Sequence, residues 1–113
     1  MLNKNEIING LSNEDIIVRN GIYEYVCNLH LYDDKDINEK FIEFLKNNYS
    51  EINLAGIKYS KINKEIMECF IKIALDDKSM KRKISDILVM HYNLIKDMDY
   101  NFEEIIDDKE DLL

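Results

Sequence analysis

Apolar residues recur along this chain at helical intervals, and short polar breaks separate one run from the next. Val18, Ile22, Tyr25, Val26 and Leu29 fall at i, i+4, i+7, i+8 and i+11, which draws one stripe down a helix. Ile62, Ile66, Cys69, Phe70 and Ile73 repeat the same spacing. Ahead of the first stripe, Asn3 with Glu6 predicts a capped short helix carrying Ile7, Ile8 and Leu11. Ser12 with Asp15 has the form of a second capping box, opening the helix of the first long stripe. Residues 31–34 read as a break. Ile37, Phe41, Phe44 and Leu45 then predict a third helix that ends at Asn47-Asn48. Between residues 49 and 60, Gly56 and mixed polarity predict a short helix with Ile52, Ala55 and Ile57 on one side, then a turn at Tyr59-Ser60. Asp76-Asp77 interrupts again. Met80, Ile84, Ile87, Leu88, His91, Tyr92 and Ile95 predict one long further helix, and Phe102, Ile105 and Ile106 a short last one.

No segment alternates with the two-residue period of a half-buried strand. The chain holds no Pro and three Gly in 113 residues, which leaves too few turn formers for a sandwich or barrel. The expectation is an all-α protein in a single domain over residues 1–106, with residues 107–113 as an acidic, frayed tail. Helices joined by such short links turn back sharply and pack in pairs. Periodicity alone leaves two architectures open, a helical solenoid and an irregular helical bundle.

The segment Leu11-Ser-Asn-Glu-Asp15-Ile-Ile-Val18-Arg19 resembles the turn and second-helix start of a HEAT repeat, in which a Leu, a short acidic turn and Val-Arg follow one another. The resemblance covers residues 7–45. The Pro of many HEAT first helices is missing, and Lys81-Arg82-Lys83-Ile84 is a loose echo of a second such turn. It implies a short right-handed α-solenoid of helix pairs. It implies that Asp15 and Arg19 form a structural ladder along the stack, that Gly21 supplies the small residue for close helix approach, and that the second helices of the pairs line a binding face. HEAT-like segments often belong to longer proteins, so the chain is also readable as a piece of one.

Charge and chemistry narrow the function. The net charge of −8 runs against nucleic-acid binding, which draws on clustered cations; it either keeps a small protein in solution or suits a partner with a basic surface. Cys27 and Cys69 sit at apolar helical positions outside any C-x-x-C and read as reduced core residues of a cytoplasmic protein. The apolar runs are too short for a membrane span. His91 falls within an apolar stripe and reads as a core residue with one hydrogen-bond partner. His30, near Asp33 and Asp34, falls short of a zinc ligand set. Cys27 and His30, three apart, are the one candidate nucleophile pair, with no third member. No catalytic, metal or cofactor site is expected. Lys78, Lys81, Arg82 and Lys83 stand at a predicted helix start, where cations oppose the helix dipole and Asp76 and Asp77 offset them.

The expected function is therefore a non-catalytic protein–protein interaction module of a bacterial cytoplasmic protein. The alternative is a small acidic immunity-type protein that neutralises a toxin. Tyr23 and Glu24 on the first long helix, with Glu65 and Glu68 on the second, are the expected partner-binding residues. Tyr serves as anchor and the acids as electrostatic complement. Tyr32, Tyr49, Tyr59 and Tyr100 also fall off the best stripes.

Overall fold

The computed structural model describes residues 1–99 and Ile105, and every regular element among them is a helix. Helix α1 spans Lys4–Leu11, α2 Ile16–Leu29, α3 Lys35–Asn48, α4 Ala55–Lys58, α5 Lys64–Asp76, α6 Lys81–Met90 and α7 Tyr92–Ile95. Single 3-10 turns at Leu31–Asp33 and Lys78–Met80 fill two of the breaks. The chain is all-α. No helix among the described residues is long and apolar enough to cross a membrane. Phe102, Ile106 and the acidic run 107–113 lie outside the described residues, while Ile105 is buried.

Helices α1, α2, α3 and α5 begin where a side chain can take up their first free N–H groups. Asn3 and Glu6 form the expected reciprocal capping box of α1. An Asp34 oxygen accepts from the N–H groups of Asp36 and Ile37 to open α3, and Asn63 accepts from Ile66 to open α5. The box expected at Ser12 does not form. Ser12 and Asn13 still donate their N–H groups to Asn9 and Gly10 of α1, so the reversal uses them up. Asp15 itself caps α2, accepting from the Ile17 N–H at 2.9 Å.

Two rows of helices result. In the first, α1 packs on α3 and α3 on α5; in the second, α2 packs on α4 and α4 on α6. The first row is parallel. Lys4 at the start of α1 pairs with Asp34 and Asp36 at the start of α3. Asn38 at the start of α3 accepts from Asn63 and donates to Glu65 at the start of α5. At the far ends, Tyr49 donates to Asp77 at 2.9 Å. Between the rows lies one continuous core, with Phe41, Leu45, Ile57, Ile66, Phe70, Ile84 and Leu88 fully buried.

The long helix expected over residues 80–95 is broken at His91. Its Nε2–H donates to the Lys58 carbonyl at 2.8 Å, and the chain turns there so that α7 packs on α5. Met80, Ile84, Ile87, Leu88 and Ile95 remain buried, so the apolar pattern was sound although the helix is not continuous.

The close approach of α1 and α2 depends on Gly10, where an added Cβ would collide with the Ile22 side chain. Gly21, the expected small residue, has open space around it instead. The two glycines therefore predict opposite results. Gly21→Ala should stabilise the protein by up to about 1 kcal/mol, the helix-propensity difference. Gly10→Ala should destabilise it by about 1–2 kcal/mol, because overpacking outweighs the same propensity gain. Urea unfolding of both variants checks this; a Gly10→Ala protein more stable than the wild type would rule out the tight contact.

Candidate partner-binding face

Helix α2 has apolar residues on nearly every side: Ile16, Ile17, Val18, Ile22, Tyr23, Tyr25, Val26, Cys27 and Leu29. Which side turns inward is decided by Tyr23. Only 1% of it is exposed. Its ring stacks on Phe41 and Phe44, with centroids 5.7 and 5.4 Å away, and its hydroxyl donates to the Asn53 carbonyl at 3.1 Å. Burial holds the phenol well above its usual pKa, so it stays a donor. Tyr23 is thus a core residue and not the expected surface anchor.

With Tyr23 turned inward, Val26 of the expected core stripe stays buried while the other members of that stripe lie toward the surface. Val18 is 40% exposed, Leu29 43% and Ile17 77%, while Ile22 and Tyr25 are half-buried. Ile22 lies against Gly10, and the Leu2 N–H donates to the Tyr25 hydroxyl at 3.1 Å. The stripe Val18–Ile22–Tyr25–Leu29 is therefore seated on α1 from one side and open on the other. Tyr59, 71% exposed beyond α4, is the one Tyr or Phe among the described residues that is exposed and not half-buried or buried. Tyr32 is buried, Tyr49 is half-buried on Asp77, and Tyr100 is outside the described residues.

Glu24, Glu65 and Glu68 are exposed, as expected, but they do not share a face. Glu24 lies on the row of α2, α4 and α6, and Glu65 and Glu68 lie on the row of α1, α3 and α5. The one-turn α4 packs on α2 and α6, while α5 packs on α3 and so lies in the other row from α2. Asp15 and Arg19 are structural, though not by pairing with each other. Asp15 caps α2, while Arg19 donates to Asn48 of α3 at 3.2 Å and to the carbonyls of Asn13 and Glu14 at 2.8 and 2.9 Å.

The chemically suggestive side chains are tied into the fold. Ser60 Oγ donates to the Cys27 carbonyl at 2.7 Å and accepts from the Tyr32 hydroxyl at 2.7 Å. His30 Nδ1 lies 3.0 Å from the same oxygen and accepts from the Lys61 N–H at 3.0 Å, so it is turned to the chain and not to the Cys27 thiol. Burial pushes that thiol up to about 11, which keeps it protonated at neutral pH, the reverse of an activated nucleophile. Among the described residues no three of His, Cys, Asp and Glu gather as a metal ligand set. A shallow cleft of about 370 Å³ between the 52–58 segment and α6 takes in Lys83 of the basic cluster together with Asp86.

No protein-family model, curated protein or solved structure matches this chain.

Substitutions at Tyr23 separate its two contributions. Tyr23→Phe keeps the stacking and leaves the Asn53 carbonyl without its donor, at a cost of about 1 kcal/mol. Tyr23→Ala should cost about 3–5 kcal/mol, in the range of large aromatic deletions. Chemical denaturation reads both; a Tyr23→Ala loss below about 0.5 kcal/mol, typical of surface sites, would return Tyr23 to the surface.

Proposed function

We propose that this chain is a HEAT-like helical-repeat module that binds another protein through the outward stripe of α2. The carrying observation is that stripe: on one side of a capped helix Val18 and Leu29 are exposed at the two ends and Ile22 and Tyr25 are half-buried between them. Contiguous apolar surface on a folded domain marks interaction sites, whereas single exposed apolar residues do not.

The repeat reading draws support from the order of packing. Helix α1 packs with α2 and α5 with α6, and α3 and α4, set between them in the two rows, would make the middle unit, so that each helix meets the like helix of the next. The caps of the first helices, Asn3, Asp34 and Asn63, recur about thirty residues apart, within the range of repeat architectures. That period is shorter than the roughly 40–47 residues of a HEAT unit because α4 is a single turn. Arg19, reaching from α2 to Asn48 of α3, is a rung between neighbouring pairs, the role that the Val-Arg resemblance implies.

A capture experiment tests the face. The immobilised chain is exposed to lysate of the source organism as wild type, as Val18→Asp and as Glu65→Lys. A protein held by the wild type should be lost from Val18→Asp and kept by Glu65→Lys, with circular dichroism unchanged in both. Equal retention by all three, or loss from Glu65→Lys alone, would move the site off α2.

A further inference from the structure

We infer that the α2 stripe seats an amphipathic helix of another protein whose own apolar stripe is flanked by lysine or arginine; this rests on the docking reading above and names the partner's chemistry. Val18, Ile22, Tyr25 and Leu29 span three turns, about 16 Å, at the spacing with which one helix presents a ridge to another. Ile22 and Tyr25 form a floor fixed from below by Gly10 and by the Leu2 N–H. Val18 and Leu29 stand proud at the two ends. A surface ordered in this way loses little side-chain freedom on binding.

Charge selects the occupant. The α1–α2 pair with its turn carries Glu6, Glu14, Asp15 and Glu24 against two cations, Lys4 and Arg19. Both cations are engaged away from the stripe. The Lys4 ammonium sits 3.1 and 2.6 Å from Asp34 and Asp36 at the start of α3, and Arg19 reaches Asn48 at the end of α3. Glu14 and Asp15 stand four and three residues before Val18 at the opening of the stripe, Glu24 is exposed on the adjoining flank of α2, and Glu6 stands one turn before Gly10 on the flank of α1 that turns to α2. A second copy of the chain would set this acidic rim against itself, because a two-fold contact brings the same patch from both sides. A helix with basic flanks meets the rim with opposite charge, and its association then weakens as salt screens the pairs.

Three labelled peptides of about 18 residues test this against the full chain by fluorescence anisotropy: a leucine stripe flanked by lysine, the same stripe flanked by glutamate, and a scramble of the first. The lysine-flanked helix should bind at least about tenfold more tightly than the other two, and more weakly as salt rises. Val18→Asp and Leu29→Asp should each lower that affinity at least about tenfold, Glu24→Gln less, and Glu39→Gln on α3 should leave it unchanged. Equal binding of the scramble or of the glutamate-flanked peptide overturns the inference, as does unaltered binding by both aspartate variants. Sedimentation revealing a dimer that Val18→Asp dissolves also overturns it, in favour of a second copy. If Val18→Asp abolishes capture from lysate while no peptide binds, the docking face stands and the basic helix falls.

Discussion

The arrangement of this protein depends on where one phenol goes. Tyr23 must place a large ring among apolar neighbours and still give its hydroxyl an acceptor, since an unpaired buried donor costs about 1–3 kcal/mol. The slot between Phe41 and Phe44, closed by the Asn53 carbonyl, meets both demands. With the ring there, α2 is locked to α3 through stacking and to the segment before α4 through the hydrogen bond. The rotation of α2 about its axis follows, and with it the identity of every residue that α2 shows to solvent.

That dependence explains which parts of the fold were legible in the sequence. The stripe of α3 read correctly because Ile37, Phe41, Phe44 and Leu45 share one side and are buried; that of α5 read correctly because the helix is enclosed on several sides, with Met67 and Ile71 buried as well as Ile66, Cys69, Phe70 and Ile73. Residues capable of capping gave the start of α1 directly and the breaks before α3 and after α5 closely. Helix α2 could not be read in this way. Its nine apolar residues cover most of the circumference, so a helical period fits more than one face. The choice is made by Phe41, Phe44 and Asn53, which are distant in sequence. Placing Tyr23, Glu24, Glu65 and Glu68 on one face failed for that reason, and because the one-turn α4 lies beside α2 where α5 was expected, leaving α5 packed on α3.

The polar side chains show a similar division. His30, Ser60, Tyr32 and Cys27 come from two stretches of chain, and their mutual hydrogen bonds make a fastening between α2 and the segment after α4. Local spacing could suggest a Cys–His pair; it could not suggest Ser60, whose hydroxyl bonds the Cys27 carbonyl beside His30 Nδ1, or the Lys61 N–H, which takes up that ring nitrogen. His91 was readable as a residue with one hydrogen-bond partner, the Lys58 carbonyl, but it is half-buried at the helix break and not in the core.

The polar rungs that tie neighbouring helices, Lys4 to Asp34, Arg19 to Asn48, Asn38 to Asn63 and Tyr49 to Asp77, each span about 25–30 residues of chain. None joins one end of the protein to the other. Closing a loop of that length is entropically modest and costs nearly the same at each step. Assembly can then advance by repeated local closures, each helix docking on the surface left by the one before it. A chain emerging from the ribosome would complete the slot for Tyr23 once residue 53 is free, with the second half of the protein still to come.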